Sequence, residues 1–197
     1  MLAAVILSGG ASRRMGSPKA LLPYRGRSFL EHLLEVTTQK EVGVRRVVLG
    51  PDAGPIADAV NLRPDEVVIN EDWERGQLTS IQAAVRSLPL GTDGMLLALI
   101  DHPLISHGLV HDLIKQFYVS QRPIVVPVYH GRRGHPVIFS SALYDELLTA
   151  PLETGARAVV WAHSGEVSEL DTMEEGCVLN LNDPEALNRA SEKTKPV

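Results

Sequence analysis

LSGGASRRMGSPKALLP, at residues 7–23, begins where an apolar run at residues 2–7 ends, and that run is typical of a buried strand. Gly9 and Gly10 allow the backbone to turn sharply after the strand and to approach a ligand closely. Backbone N–H groups in such a turn bind anions. Three cations follow within seven residues, at Arg13, Arg14 and Lys19. The stretch therefore predicts a strand that ends in a phosphate-binding loop, and its charge suits a triphosphate.

Two common phosphate-binding loops do not match this stretch. A Walker A loop ends in Gly-Lys-Ser/Thr, whereas Lys19 lies between Pro18 and Ala20. The dinucleotide fingerprint G-x-G-x-x-G fails because Gly9 and Gly10 are adjacent. A solvated basic loop that binds no ligand is the alternative that composition alone supports.

Apolar runs alternate with segments of helical spacing along the chain. We predict strands at residues 2–7, 44–49, 66–69, 95–100, 124–127, 137–139, 167–170 and 178–181. We predict helices at residues 28–40, 56–61, 77–88, 106–119, 142–148 and 155–162, and a last helix from Asp183. Such alternation indicates an α/β fold of three layers, in which helices cover both faces of an open, mostly parallel sheet.

Ligands of such sheets bind beyond the carboxyl ends of the strands. Gly9, Asp101 and the loop at Arg132 each follow a predicted strand. Alternation alone therefore brings these three places to one edge of the sheet, and we expect the functional site there.

The composition is that of an ordinary globular chain of 197 residues, 44% of them hydrophobic. We expect a single domain at residues 1–190 and a frayed tail at residues 191–197. The net charge of −5 argues against a broad basic face for nucleic acid. The apolar runs are too short to span a bilayer, and the single cysteine, Cys177, excludes an intrachain disulfide. These features predict a cytoplasmic protein that binds neither nucleic acid nor membranes.

Three polar positions near predicted strand ends or helix starts have two readings each. Asp101 is either a helix cap or a ligand of Mg²⁺, which binds one or two carboxylates together with phosphate oxygens and water. The hydroxyls of Thr79 and Ser80 either cap a helix or bind a nucleotide. His102 is a poor ligand for Mg²⁺, because that ion favours oxygen.

The stretch at residues 7–23 resembles the signature loop L-[SA]-[GA]-G-x-[SG]-x-R-M-G-x-P-K-x-L-L-P of the nucleotidyltransferases that make molybdenum cofactor dinucleotides. More broadly, it is similar to the loop of the sugar-nucleotide pyrophosphorylases. The resemblance covers about residues 2–187 and implies a Rossmann-like nucleotidyltransferase fold whose loop binds an NTP. The implied nucleotide-binding residues are Leu7, Ser8, Gly9, Gly10, Arg13, Arg14, Lys19, Thr79 and Ser80. The implied catalytic residues are Arg14, Lys19 and Asp101.

The same resemblance implies a metal site and an acceptor loop. The family binds its metal through an Asp at the place of Asp101, and its closing motif D-[IV]-[DN]-[TD]-P-E-x-L puts a second metal position at Asn182. Asn182 or Asp183 capping the last helix is the alternative. GRRGHPVIF, at residues 131–139, is similar to the motif G-R-x-G-H-P-V-x-F of the cytidylyl branch. It implies a loop for the molybdopterin acceptor, formed by Arg132, Gly134, His135 and Pro136; a solvated basic turn is the alternative.

The resemblance therefore implies Mg²⁺-dependent transfer of CMP from CTP to molybdopterin, with release of pyrophosphate. GTP stays an alternative, because Ser8-Gly9-Gly10 is closer to the guanylyl branch, whereas Pro18 before Lys19 favours the cytidylyl branch. A sugar or polyol phosphate is an alternative acceptor. A non-catalytic carrier of the finished cofactor is an alternative of another class, and in either case a molybdoenzyme is a candidate client.

Overall fold

A computed structural model describes the chain at residues 1–10, 18–24 and 26–181. Its strands are β1 (Leu2–Ser8), β2 (Pro23–Tyr24), β3 (Arg27–Ser28), β4 (Val42–Leu49), β5 (Val67–Ile69), β6 (Gly94–Leu99), β7 (Ile124–Tyr129), β8 (Arg132–Arg133), β9 (Val137–Ser140) and β10 (Val167–Asp171). Its α-helices are α1 (Phe29–Val36), α2 (Ala53–Ala59), α3 (Gln77–Ser87), α4 (His107–Ser120), α5 (Tyr144–Thr149) and α6 (Arg157–Ala162). Strands and helices alternate, as the hydrophobic pattern predicts.

β1 is the central element of the fold and is buried along its whole length. Successive side chains of a strand point to opposite faces. Leu2 and Ile6 accordingly pack into the core on one face of the sheet, and Val5 and Leu7 into the core on the other. Helices α1, α2 and α4 contribute to the first core, and α3, α5 and α6 to the second. The predicted arrangement of three layers is therefore confirmed.

The sheet runs in the order β10-β7-β9-β6-β1-β4-β5, and β8 pairs with β7. β1 is parallel to β4 and β6, β5 is parallel to β4, and β10 is parallel to β7. β9 is antiparallel to both of its neighbours. The parallel strands therefore end at one edge, and β9 starts at that same edge, where Val137 is paired with Leu97.

Residues 178–181, which we predicted as a strand, form none. They follow a 3-10 turn at Glu175–Cys177, and the N–H of Leu181 donates to the carbonyl of Asp101. The Leu181 side chain is buried with Tyr24 and Phe29 in a small cluster of its own. The apolar spacing thus reflects burial, but against β2 and α1 rather than within the main sheet.

Two further predictions concern the C-terminal segment and the absence of membrane-spanning helices. The last helix predicted from Asp183 and the tail at residues 191–197 lie outside the described residues. None of the described helices combines the length and the apolar character that are needed to cross a bilayer.

His163 links α5 to the end of α6 through two carboxylates. Its Nδ1 lies 2.7 Å from Oε2 of Glu166, and its Nε2 lies 3.0 Å from the carboxylate of Glu146. These hydrogen bonds, first that of Glu166 and then that of Glu146, raise the pKa of His163 above 6.5.

We expect His163 to stabilise the fold at low pH only. Because the folded state favours the protonated ring, its contribution is fully present below the unfolded pKa of about 6.5 and is lost as the pH rises through the raised folded pKa. The melting temperature of His163→Gln should therefore lie below that of the wild type at about pH 6 and should meet it at about pH 9. Thermal unfolding followed by circular dichroism measures this difference. A difference that does not change with pH would contradict the role of the two carboxylates.

Candidate functional site

Four neighbouring strands end side by side at the carboxyl edge, and their turns are in close contact. β1 is followed by Gly9, β4 by Gly50 and β5 by Asn70. A Cβ on Gly50 would lie 2.2 Å from the carbonyl oxygen of Gly9, so a side chain at this position is excluded. On the other side of β1, the N–H of Ile100 donates to the carbonyl of Leu7 at 3.1 Å. The turn after β1 is thus held between the turns after β4 and β6.

Asn70 is a buried hydrogen-bonding centre beside this turn. Its amide nitrogen donates to the hydroxyls of Thr79 and Ser80, at 2.8 and 2.9 Å. Its Oδ1 accepts from the N–H of Asp72 at 3.0 Å. The Thr79 hydroxyl in turn lies 2.8 Å from the carbonyl oxygen of Gly76 and 3.0 Å from that of Asp72, and it donates to these acceptors. Its proton is therefore used by the backbone just before α3. The Ser80 hydroxyl donates to no acceptor in the part of the chain that the structure describes, and its role towards a nucleotide stays a prediction.

The two glycines of the turn have different surroundings. A Cβ on Gly9 would lie 2.7 Å from Oγ of Ser80, well inside van der Waals contact. A Cβ on Gly10 would have no atom of the described residues within 4 Å. A side chain at position 9 would therefore clash with Ser80, whereas a side chain at position 10 would meet none of the described residues.

A narrow cleft next to the turn has Lys19 in its lining. It is lined by Ser8, Gly10, Pro18, Lys19, Gly50, Pro51, Asp52 and Ile56. The predicted nucleotide loop and its lysine therefore share one cleft. Arg13 and Arg14, the other predicted cations of the loop, lie outside the described residues.

Asp101 lies two residues beyond β6, and its side chain is 23% exposed. Its Oδ2 accepts a hydrogen bond from Nδ2 of Asn180 at 2.7 Å. Its backbone carbonyl accepts from the N–H of Leu181 at 2.8 Å. Its Oδ1 is 3.9 Å from Nε2 of His102, which is beyond hydrogen-bonding distance. One carboxylate oxygen is thus held in place, and the other makes no hydrogen bond to the described residues.

Two histidines meet beside Asp101. The ring centroids of His102 and His135 are 5.0 Å apart, and each Nδ1 is buried without a hydrogen-bond partner among the described residues. Burial lowers the pKa of His102, against the opposing effect of Asp101. Burial, together with the neighbouring His102, lowers the pKa of His135 to about 4. Both rings are therefore neutral near pH 7 and add no positive charge to this side of the edge.

The predicted acceptor loop packs against residues 174–181. A Cβ on Gly134 would lie 2.4 Å from the carbonyl oxygen of Cys177, and that same carbonyl accepts from the N–H of His135 at 2.8 Å. Pro136 is buried next to the start of β9, whereas Arg132 is exposed. Because residues 180 and 181 bond to the aspartate described above, one short segment connects the acceptor loop to it.

The structure gathers the described members of the predicted site at one edge of the sheet, as the alternation of elements predicts. Asn182 lies outside the described residues. Two residues that we did not predict, Asn70 and Asn180, join the site. Both had a signal in the sequence: Asn70 directly follows a strand, as Gly9 does, and Asn180 opens the closing motif that contains Asn182.

Gly9→Ala should destabilise the fold, whereas Gly10→Ala should have little effect. The new Cβ at position 9 must displace the Ser80 hydroxyl from Asn70, and overpacking of this kind costs about 1–3 kcal/mol in the free energy of unfolding. Chemical denaturation measures this cost. In the Gly9→Ala/Ser80→Ala double variant the clash is absent, so the combined cost should be smaller than the sum of the two single costs. Strictly additive costs would contradict the contact.

Comparison with known families and proteins gives consistent matches. The family model described as MobA-like NTP transferase domain matches residues 4–167. Nicotine blue oxidoreductase of Paenarthrobacter nicotinovorans is 31% identical over 196 residues, which cover 94% of this chain and 94% of that protein. The purine catabolism protein PucB of Bacillus subtilis (strain 168) is 27% identical, over 88% of this chain and 93% of its own.

A solved structure extends the similarity to the fold. The crystal structure of Rv0371c from Mycobacterium tuberculosis H37Rv has a TM-score of 0.80 at 30% identity and covers 97% of this chain and 98% of its own. Rv0371c has also been solved in complex with manganese, and that structure has a TM-score of 0.72 at 25% identity, covering 98% of this chain and 99% of its own. The family match includes the turn after β1, Asp101 and β9. The chain belongs to the family of MobA-like NTP transferase domains.

Proposed function

We propose that this chain is a divalent-metal-dependent nucleotidyltransferase, which transfers CMP from CTP to molybdopterin and releases pyrophosphate. The observation that carries the proposal is the position of the Gly9–Gly10 turn, Lys19 and Asp101 at a single edge of the sheet. Membership of the family supports the nucleotidyltransferase role. The sequence GRRGHPVIF supports the cytidylyl branch.

The nucleotide side combines backbone and side-chain donors. The backbone of the turn binds the base and the phosphates, through Leu7, Ser8, Gly9 and Gly10. Lys19 lines the same cleft and binds the triphosphate as a mobile point charge. Arg13 and Arg14 are assigned to the triphosphate on the sequence motif alone. Ser80, oriented by Asn70, offers its hydroxyl to the base or the ribose.

The surroundings of Asp101 fit Mg²⁺. The described residues contain no group of three His, Cys, Asp or Glu side chains that could hold a metal ion. An ion here would therefore depend on Asp101, on phosphate oxygens and on water, which is how Mg²⁺ usually binds in proteins. Asn182 would add a neutral oxygen. Manganese in the related Rv0371c structure supports the use of a divalent cation. When bound, the ion neutralises charge on the phosphates of the NTP.

The chain has to align two phosphates and does not need to generate a nucleophile. The attacking group is the phosphate of the acceptor, which is already an anion, so no general base is required. Positioning of this kind can lower a barrier by about 7–11 kcal/mol. Lys19 stabilises the negative charge that develops on the departing pyrophosphate. The acceptor is oriented by the loop on the opposite side of Asp101, through Arg132, Gly134, His135 and Pro136.

A turnover assay tests the proposal. Purified protein is offered each NTP in turn with molybdopterin and Mg²⁺ or Mn²⁺, and pyrophosphate release is measured. We expect the highest kcat/KM with CTP and a lower but measurable value with GTP. A preference for GTP would replace the cytidylyl assignment by the guanylyl one. Turnover with a sugar or polyol phosphate instead of molybdopterin would replace the acceptor, and binding of the finished cofactor without pyrophosphate release would indicate a carrier.

An oxidoreductase is a second candidate, because the relative that is 31% identical over 94% of both chains is named for the oxidoreduction of nicotine blue. The test is the absorbance of nicotine blue in the presence of the protein and a reduced pyridine nucleotide. Bleaching of the pigment, together with no pyrophosphate release from any NTP, would favour this second candidate over nucleotidyl transfer.

Asp101→Asn should reduce turnover about a hundredfold or more while the protein stays folded. The change removes the charge that holds the metal, and loss of several kcal/mol of transition-state stabilisation corresponds to at least that factor. The amide oxygen can still accept from Asn180, so the melting temperature should change little. Asp171→Asn, at the exposed end of β10, is the matched control and should retain full activity. Near-normal kcat of Asp101→Asn at saturating Mg²⁺ would disprove the metal assignment.

A further inference from the structure

Trp73 lies over the contact between Gly9 and Gly50. It opens the 3-10 turn Trp73–Arg75, which follows β5 at the carboxyl edge of the sheet. A Cβ on Gly50 would lie 3.5 Å from Cγ of Trp73 and 2.2 Å from the carbonyl oxygen of Gly9. The indole thus lies beside the backbone turns that form the proposed nucleotide site.

The indole of Trp73 is half-buried. Within the described residues its N–H has no hydrogen-bond partner. Trp73 therefore presents a partly exposed aromatic surface at the edge of the sheet. The other tryptophan of the chain, Trp161, is on α6 and is 64% exposed.

Two chemically different groups lie beside the turn after β1. The cleft that contains Lys19 is lined by Gly10, Gly50 and Pro51 among others, and Trp73 does not line it. Trp73 lies beside Gly50, whereas the side chain that a Cβ on Gly9 would meet is that of Ser80. The first group is the ammonium group of Lys19, with the carboxylate of Asp52 in the same cleft, and the second is the indole of Trp73 together with the hydroxyl of Ser80. A nucleoside triphosphate has the same division between its phosphates and its flat base.

We propose that Trp73 stacks on the base of the bound NTP. The inference rests on the proposed function, since it requires that an NTP binds at the turn after β1. Aromatic stacking tolerates any base because every base has a π face. Trp73 should therefore increase affinity for CTP and GTP alike, whereas discrimination between them should come from hydrogen bonds at Gly9 and Ser80, which pair with one base and are left unpaired by the other.

Calorimetry of Trp73→Ala tests the contribution of the ring. The Kd of CTP and of GTP should rise about tenfold or more, which is the usual effect of removing one stacking side chain. The Kd of inorganic tripolyphosphate should not change, because that probe has no base. Trp73→Phe keeps a ring and should give intermediate values. If the base is stacked equally in the ground and transition states, KM should rise while kcat is retained.

Tryptophan fluorescence shows whether CTP binds next to Trp73, because the chain has only two tryptophans. The control variant Trp161→Phe leaves Trp73 as the sole tryptophan, and CTP should quench its emission whereas tripolyphosphate should not. In Trp73→Phe the remaining emission comes from Trp161 and should be unaffected by CTP.

Three outcomes would overturn the inference, and they have different meanings. Unchanged Trp73 emission at a CTP concentration that saturates by calorimetry would exclude stacking and leave the nucleotide site standing. An equal loss of tripolyphosphate affinity in Trp73→Ala would show that Trp73 only supports the turn. Failure of the wild-type protein to bind any NTP or tripolyphosphate would remove the proposed function and this inference together.

Discussion

The approach of Gly50 to the carbonyl of Gly9 is the contact on which the candidate site depends. No side chain separates the turns after β1 and β4, so the two backbones set their own spacing. The N–H of Asn70 donates to the carbonyl of Leu49, and the side chain of Asn70 donates to Ser80. These hydrogen bonds fix the turn after β5 against its neighbours as well. Three turns are thus fixed by direct contact and hydrogen bonds. Donors held in this way need little reorganisation when a charged ligand arrives, which is what effective electrostatic stabilisation requires.

The part of the site that follows from local pattern could be predicted from the sequence. An apolar run before two glycines identifies β1 and its turn, and alternation places Asp101 at the same edge. Contacts between distant segments could not be predicted in this way. The fit of Gly9 against Ser80 depends on how α3 packs, and His102 meets His135 only because β9 pairs with β6. The strand predicted at residues 178–181 failed for the same reason.

Residues 174–181 give the site a physical connection between its two halves. The carbonyl of Cys177 accepts from the N–H of His135, while Asn180 and Leu181 bond to Asp101. The close packing of Gly134 on Cys177 leaves little freedom between the loop and this segment. A displacement of the loop is therefore transmitted to the carboxylate through only a few covalent and hydrogen bonds. The position of Asp101 relative to a bound acceptor is determined by that segment as much as by the strand that precedes it.

The reversed direction of β9 has an evolutionary consequence. The turns around Gly9 and Gly50 belong to β1, β4 and β5, whereas the loop before β9 is carried by β7, β8 and β9, and the two groups of strands join where β6 pairs with β9. Substitutions or insertions in the second group can thus alter what is accommodated there, and their effect reaches Asp101 through residues 174–181. A lineage with this division can acquire a new chemistry by remodelling one part. The differently named relatives, one an oxidoreductase of nicotine blue and one a protein of purine catabolism, accord with that kind of diversification on a shared framework.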